Sequence, residues 1–289
     1  MNLSPKRFLL LICAAAVFAG CATSDERPEP GLCGVYRTDG TTITQEYVEV
    51  PFEQDGRTLI LEGMLYRDIE RTSSLGVVMT HGRNGPRPRR NEQEVYGYQR
   101  LNAALALEGY AVLFLVRRGY GRSDGNDSEF LSTPAASGLA AAQDIRAGVR
   151  YLRALPGVDP SRIVAMGHSQ GGWAAFAAAS LDIEGLVGTV NLCGGTNYAD
   201  MGIGFITEQV QEDWARGAAE VGATNKVPVT WIFSENDRNH PPEHVRRQFG
   251  AFEDAGGSGV LHMLAPYGDN GHMIVHSPEL FLHLIAEMW

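Results

Sequence analysis

Six short apolar runs, interleaved with segments of helical periodicity, constrain the fold of this 289-residue chain more than any other feature. The runs are rich in β-branched or aromatic residues, a composition typical of strands buried on both faces of a parallel sheet. In the intervening segments, apolar side chains recur every three to four residues, as on one face of a helix. The predicted strands are Gly76–Thr80, Ala111–Val116, Arg162–Met166, Leu186–Leu192, Val227–Phe233 and Gly259–Leu264.

An antiparallel hairpin is predicted before these strands, from Glu46–Val50 to Leu59–Tyr66, with a turn at Gln54-Asp55-Gly56. Strands that alternate with helices after such a hairpin predict an α/β fold, with a doubly wound, mostly parallel sheet and helices on both faces. The predicted helices are Tyr98–Glu108, Ala140–Leu155, Trp173–Leu181, Phe205–Glu220, Pro242–Ala255 and Pro278–Met288.

A single folded domain is predicted over residues 41–289, because neither a repeat nor a linker interrupts the sequence there. Hydrophobic residues make up 44% of the chain and charged residues 20%, which suits a globular protein with a sizeable core. The segment 195–225 is longer than one crossover requires, so it predicts either a small lid or a crossover helix with a long lead-in. Residues 21–40 are rich in Pro, Gly and polar side chains, and predict a tether.

The N-terminus carries two basic residues followed by an apolar run, Phe8 to Ala19. Such a run is too short to span a bilayer, so residues 1–20 predict a secretory signal peptide. Its end, Phe18-Ala19-Gly20-Cys21, resembles the bacterial lipobox, although Phe18 stands where lipoboxes usually carry Leu. The resemblance implies that Cys21 is lipidated and anchors the domain to a membrane surface in the periplasm.

Ala22 follows this cysteine, and by resemblance to bacterial sorting patterns it implies the outer membrane. The alternative is cleavage nearby, which would release a soluble periplasmic protein. Either compartment permits disulfides, so a bridge between Cys33 and Cys193 is an open possibility.

The formal net charge of −10 argues against nucleic acid as a partner, because phosphate binding needs clustered cations. The cysteines and histidines form neither a CxxC motif nor a Cys/His cluster, so no metal or cofactor is predicted.

Gly167-His168-Ser169-Gln170-Gly171 lies directly between a predicted strand and a predicted helix. A serine hydroxyl becomes a nucleophile when it is exposed, oriented and next to a base, and a tight strand-to-helix turn provides the exposure. Flanking glycines remove the Cβ atoms that would clash in such a turn. The context therefore predicts Ser169 as the nucleophile.

The same five-residue pattern also occurs at Gly121-Arg122-Ser123-Asp124-Gly125. Ser123 follows a predicted strand too, but the sequence after it continues as a loop instead of a helix. The motif alone is therefore weak, and its context favours Ser169.

An oxyanion hole needs two converging backbone N–H donors near the attacked carbonyl. In hydrolases with this turn, one donor follows the serine and the other lies in the loop after the third strand of the fold. These positions correspond to Gln170 and Arg83, and Gly82 allows the loop backbone to approach closely. His81, in the same loop, is predicted to have a structural role.

An acid and a base are expected on loops after the last two strands. Asp237 is the favoured acid and Glu235 the less favoured alternative. His272, in a Gly-rich loop, is the favoured base, whereas His168 is expected to point away from the site. Ser169, Asp237 and His272 thus follow strands in the order expected of a catalytic triad.

These motifs resemble the α/β-hydrolase fold superfamily, and within it the dienelactone hydrolase and prolyl-oligopeptidase-like esterase branch. The resemblance covers residues 46–289. It also identifies Arg118–Ser123 as the loop after the fourth strand, where Arg117 replaces an Asp that many relatives carry. It implies a serine hydrolase that cleaves a small-molecule carboxylic ester or related acyl bond. A peptidase of the prolyl-oligopeptidase type and a non-catalytic lipoprotein binding module are the alternatives.

Overall fold

The computed structural model describes residues 27, 29–38, 40–83, 93–127, 133–195 and 207–286. The strands are β1 (Gly31–Thr38), β2 (Thr41–Gln54), β3 (Arg57–Asp68), β4 (Ser74–Thr80), β5 (Ala111–Leu115), β6 (Val158–His168), β7 (Leu186–Leu192), β8 (Val229–Ser234) and β9 (Gly259–Leu264). The helices are α1 (Gln99–Leu107), α2 (Pro134–Arg153), α3 (Gln170–Ala178), α4 (Glu208–Ala223), α5 (Pro242–Asp254) and α6 (Leu282–Ala286).

In the described part of the chain, nine strands form one sheet in the order β1-β2-β3-β5-β4-β6-β7-β8-β9. The first three strands form an antiparallel meander, and β3 pairs antiparallel with β5. All pairs from β5 to β9 are parallel. Asp55 and Gly56 both have positive φ in the β2–β3 turn, as a two-residue hairpin loop requires. The predicted α/β fold with an opening hairpin is therefore confirmed.

The helices divide between the two faces of the sheet because of the strand order. From β4 the chain passes through α1 to β5, which lies on the β3 side of β4 in the sheet. Every later crossover moves across the sheet the other way, toward β9. Since crossovers between parallel strands are right-handed, this reversal puts α1 on one face and α2 to α5 on the opposite face. Ligands of open α/β sheets bind beside such a reversal, at the carboxyl ends of the strands.

An aromatic cluster fills the core between the sheet and the larger helical layer. Phe176 of α3 meets Trp231 of β8 edge to face, with ring centroids 4.8 Å apart, and also contacts Phe252 of α5. Trp173 of α3 contacts Trp214 of α4 at 4.6 Å. These contacts fix α3, which begins directly after the predicted nucleophile, against the sheet.

The predicted tether is too long at its C-terminal end. Residues 31–38 form the edge strand β1, which pairs with β2 from Gly31 to Thr38 with one irregularity between Leu32 and Gly34. Cys33 is buried there against the core, although Pro and Gly surround the segment. The strand is therefore stabilised by its pairing with β2 more than by the β propensity of its own residues.

The disulfide between Cys33 and Cys193 is excluded by the sheet order. Cys33 lies in β1 and Cys193 directly after β7, six strand positions away, and neither cysteine forms a disulfide. Neighbouring strands are about 4.8 Å apart, so the two residues are separated by roughly 29 Å. A disulfide requires Cα atoms within about 7 Å.

The described part of the predicted lid segment is α4, which packs against α2 and α5 as a crossover helix between β7 and β8. The rest of that segment, residues 196–206, lies outside the described residues, as do the signal peptide and Cys21. The last predicted helix begins later than expected, at Leu282, with 3-10 turns at Gly271–His276 and Pro278–Leu280 before α6. Within the described ranges, no helix is long and apolar enough to cross a bilayer.

Candidate active site

The turn between β6 and α3 holds Ser169 in a backbone conformation that L-residues rarely adopt, with φ 55° and ψ −124°. The Ser169 N–H donates to the Leu192 carbonyl, and the Ser169 carbonyl accepts from the N–H groups of Trp173 and Gly195. These bonds hold the turn against the end of β7. A strained residue held so firmly is a mark of functional sites.

Glycines let three backbone segments meet at this turn. A Cβ at Gly167 would overlap the Gly171 carbonyl, and one at Gly171 would overlap the His81 carbonyl. On the loop after β4, a Cβ at Gly82 would lie 2.9 Å from the Cβ of Ser169. The predicted need for glycine on both sides of the serine is therefore met, and Gly82 adds a third such position.

The two predicted oxyanion-hole residues lie in the segments that meet at Ser169. Gln170 is the first residue of α3, where the N–H groups of the first turn have no carbonyl partner within the helix. Arg83 follows Gly82 directly on the loop after β4. The helix N-terminus adds a partial positive charge on the same side as the serine.

Asp237 and His272 form a buried pair on the loops after β8 and β9. His272 Nδ1 lies 3.0 Å from Asp237 Oδ2, and Asp237 Oδ1 accepts from the backbone N–H groups of Asn239 and His240. Burial raises the pKa of Asp237, but the hydrogen bond from His272 and the nearby His240 and His272 charges outweigh it, so the net pKa is lowered. The carboxylate therefore remains charged beside the imidazole.

Two asparagines that the sequence interpretation missed join the acid and base loops. The Asn236 side chain accepts from the Tyr267 N–H and donates to the Gly268 carbonyl. The Asn270 side chain accepts from the N–H groups of Arg238 and His272. Asn270 precedes Gly271 and Asn236 precedes Asp237, and both pairs are turn signals on predicted loops that could have identified the asparagines.

The rejected candidates have structural roles. Ser123 is buried, its hydroxyl donates to the Val116 carbonyl, and it accepts from the Glu62 N–H. Glu235 points outward and pairs with Arg246 on the surface. His81 is buried, with its Nδ1 2.7 Å from the Gly82 carbonyl and its Nε2 accepting from the Arg117 N–H. Burial lowers the pKa of His81 well below its usual value, so it stays neutral.

The prediction that His168 points away from the site is wrong. Its buried ring lies 4.7 Å from the His272 ring, centroid to centroid, and His168 Nε2 is 2.9 Å from the His272 carbonyl oxygen. The direction of this side chain depends on Tyr98, seventy positions away, whose hydroxyl lies 2.8 Å from His168 Nδ1. A contact between residues so far apart in the sequence cannot be predicted from the residues next to His168.

Arg117 is almost fully buried behind the elbow. Its Nη2 donates to the His81 carbonyl and to the Gln170 side-chain oxygen, at 3.1 and 2.7 Å. The guanidinium thus links the loop after β4 with the first residue of α3. It places a positive charge beside Gln170 and beside the loop that carries the other predicted oxyanion donor.

Cys193 brings a sulfur close to the acid–base pair. Its Sγ, a carboxylate oxygen of Asp237 and a ring nitrogen of His272 lie within 4.8 Å of one another, a set that could hold a metal ion. The Asp237 and His272 atoms are already hydrogen-bonded to each other and to backbone N–H groups. The arrangement therefore fits an acid–base pair better than a metal centre.

Known proteins resemble the chain both in sequence and in structure. It is 29% identical over 143 residues to the quorum-quenching protein AidA of Acinetobacter baumannii, a match that spans 48% of this chain and 41% of that protein. An esterase of Pyrococcus furiosus superimposes with a TM-score of 0.58 at 17% identity, over 84% of this chain and 89% of the esterase. Acetyl xylan esterase 1 of a Thermoanaerobacterium species gives 0.57 at 16% identity, over 88% of this chain and 86% of that enzyme.

The structural similarities, at such low identity, establish the fold alone. The match of residues 77–224 to the alpha/beta hydrolase family covers more than half of the sequence and includes the elbow and the loop before it. The chain belongs to the alpha/beta hydrolase family.

Proposed function

We propose that this protein is a serine hydrolase that cleaves a carboxylic ester or a related acyl bond through an acyl-enzyme on Ser169. The observation that carries the proposal is the buried His272–Asp237 pair, 3.0 Å apart, packed beside an elbow that strains the serine at its apex. His272 is adjacent to the elbow because its ring contacts that of His168, the residue before the nucleophile.

The mechanism follows from these positions. His272 accepts the Ser169 proton as the hydroxyl oxygen attacks the acyl carbon, and Asp237 stabilises the resulting imidazolium. The N–H groups of Arg83 and Gln170 bind the oxyanion, and His272 then protonates the leaving group. Water attacks the acyl-enzyme by the same route and restores the Ser169 hydroxyl. The reaction needs neither a metal nor an organic cofactor.

The charge of Arg117 supports this assignment. A buried guanidinium bound to the Gln170 side chain and the His81 carbonyl favours negative charge that develops at the adjacent oxyanion hole. Its positive potential is strengthened by the low dielectric of the interior.

The experiment is a comparison of p-nitrophenyl acetate hydrolysis by wild type, Ser169→Ala and Ser123→Ala. We expect Ser169→Ala to lose at least about a thousandfold in kcat/KM. Ser123→Ala provides the matched control, because it removes the serine of the same motif from a structural position, and its folded fraction should retain activity. Substantial and equal rates in wild type and Ser169→Ala would overturn the proposal.

The relative's description as a quorum-quenching protein suggests a second readout. We propose testing removal of quorum-sensing activity in a reporter culture, alongside esters and thioesters of varied acyl length and charge and a peptide substrate. Loss of reporter signal with wild type but not with Ser169→Ala would assign that activity to the same site.

We further propose that the protein works in the bacterial cell envelope, attached through a lipid on Cys21. The apolar run before this cysteine supports the proposal. Cys21→Ser should move the protein from the membrane fraction to the soluble fraction, and the mass of the N-terminal peptide should lack the lipid. A wild-type protein found soluble and unlipidated would favour the soluble periplasmic alternative.

A further inference from the structure

A chain of three hydrogen bonds connects the loop after β4 to the base loop through the elbow. The Gly82 N–H donates to the Tyr98 hydroxyl oxygen at 3.2 Å, and that hydroxyl lies 2.8 Å from His168 Nδ1. His168 Nε2 lies 2.9 Å from the carbonyl oxygen of His272. The chain thus begins one residue before the proposed oxyanion donor Arg83 and ends on the backbone of the proposed base.

Hydrogen-bonding chemistry fixes the direction of every bond in this chain. A carbonyl oxygen only accepts, so His168 must carry its proton on Nε2 and donate to His272. His168 Nδ1 is then an acceptor, and the Tyr98 hydroxyl donates to it. Because the Tyr98 proton is committed in this way, its oxygen is available to accept from Gly82.

The same chain requires a neutral His168. A second proton would occupy Nδ1, which would then donate to the Tyr98 oxygen instead of accepting from its hydroxyl. Burial is the main cause that lowers the pKa of His168 to about 3, and the neighbouring His272 charge contributes to the same shift. His168 therefore stays neutral when its neighbour becomes an imidazolium during the reaction.

The base loop is otherwise held mainly from the side of the acid. Asn270 and Asn236 tie it to the loop after β8, and Asp237 holds the His272 ring. His168 is bonded to it from the side of the nucleophile, within a 3-10 turn of only six residues. Removing this bond would leave the distance from the imidazole to Ser169 without that restraint.

We propose that His168 is a positioning residue, which, with Tyr98, uses its Nε2–H to hold the His272 backbone at the distance from Ser169 that proton transfer requires. The role rests on the proposed function of Ser169 and His272. It predicts that the donor at the Nε2 position matters, and that the imidazole can be replaced by another group that donates there.

Two conservative variants separate the two ends of the ring. His168→Gln places an amide N–H close to the position of Nε2 and retains a donor toward the His272 carbonyl. His168→Asn reaches only as far as Nδ1 and loses that donor. His283→Gln on the exposed end of α6 serves as the matched histidine control.

We expect His168→Gln to keep kcat within about threefold of wild type, as for a replaced single hydrogen bond. His168→Asn should lose about 30- to 100-fold in kcat with little change in KM, since a small displacement of a catalytic group has effects of that size. The downfield proton resonance of His272 Nδ1–H, bonded to Asp237, should persist in His168→Gln and broaden in His168→Asn. His283→Gln should match wild type in both measurements.

The proposal is overturned if His168→Asn is folded and retains both the wild-type kcat and the sharp resonance. It is also overturned if kcat falls as much in His168→Gln as in His168→Asn. Should His168→Asn fail to fold, Tyr98→Phe removes a single hydroxyl from the chain and should lower kcat about fivefold and shift the resonance. An unchanged Tyr98→Phe enzyme would then count against the proposal. If the wild type hydrolyses no ester, the resonance still reports on His272 independently of the proposed function.

Discussion

Glycine at position 82 allows the loop after β4 and the turn after β6 to approach more closely than any residue with a side chain would permit. The missing Cβ would lie 2.9 Å from Ser169 Cβ and 3.4 Å from the His168 carbonyl oxygen. Both neighbours are fixed by backbone hydrogen bonds or strain, so neither can yield easily.

Gly82→Ala should therefore lower kcat/KM about a hundredfold and cost about 1–3 kcal/mol of unfolding free energy. Ester hydrolysis and urea unfolding measure the two effects. The matched control is Gly250→Ala in α5, where no atom lies within 4 Å of the new Cβ; helix propensity should make it neutral or about 1 kcal/mol more stable. Equal activity of Gly82→Ala and wild type would contradict the proposed close approach.

Two buried histidines make stability depend on pH. Burial is the main cause that lowers the pKa of His168 to about 3 and of His240 to about 4. Below about pH 6.5 the unfolded chain takes up protons that the folded protein does not bind at these positions. Their contribution to stability is thus complete above pH 6.5 and is lost as the pH falls toward the folded pKa values.

Urea unfolding at pH 7 and pH 5 tests this. Between pH 7 and pH 5, the unfolding free energy of His168→Gln should fall by about 2 kcal/mol less than that of wild type. One group contributes at most about 1.4 kcal/mol per pH unit. The exposed variant His283→Gln should follow wild type. If the unfolding free energy of His168→Gln fell with pH as steeply as that of wild type, the His168 ring would be protonated in the folded wild-type protein.

Single residues differed in how far the sequence could predict them. The loop positions of Ser169, Asp237 and His272 were predictable because each follows a strand, and the structure brings Asp237 and His272 into contact. The orientation of the His168 side chain was not predictable, since it is set by Tyr98 and by the His272 carbonyl on a distant loop. Local pattern specifies the loop on which a residue lies, whereas tertiary contacts specify where its side chain points.

At the level of elements, α2 is fixed to the loop after β5 by a buried ion pair. Asp144 of α2 pairs with the Arg118 guanidinium and accepts from the Arg118 N–H at 3.1 Å. Arg118 also donates to the Gln54 side chain and the Ala140 carbonyl. Burial raises the pKa of Asp144, and the Arg118 charge counteracts the effect.

Asp144→Ala should destabilise the fold by about 3–5 kcal/mol in urea unfolding, because it leaves the Arg118 charge buried without its carboxylate. Glu279→Gln, which breaks the surface pair with Arg100, should change stability by less than about 1 kcal/mol. Similar effects of the two variants would show that water reaches the Asp144 pair.

Two strands with strong intrinsic patterns were predicted with the correct ends, whereas β1 and α2, which depend on their neighbours, were not. β7 and β9 begin and end where the apolar runs do. The edge strand β1 was missed because its pairing with β2 compensates for a weak composition. α2 begins six residues before its predicted start, at Pro134, where Thr133 caps it with a side-chain oxygen.

For the whole molecule, the strand order explains why residues from Gly82 to His272 meet although they are far apart in the sequence. The loops after β4, β6, β8 and β9 all lie at the carboxyl edge of one parallel sheet. The reversal of direction beside β4 opens the crevice in which the elbow stands. The alternation of strands and helices was enough to predict this edge, whereas the distances across it depend on packing.

The most direct test of the account is the position at which a fluorophosphonate becomes attached, because this reagent reacts with an activated serine. Peptide mass spectrometry after labelling should find the adduct on Ser169 and leave Ser123 unmodified. Asp237→Asn should slow the labelling by about a thousandfold. An adduct at another serine, or ester hydrolysis that persists after Ser169→Ala without any adduct, would contradict the account.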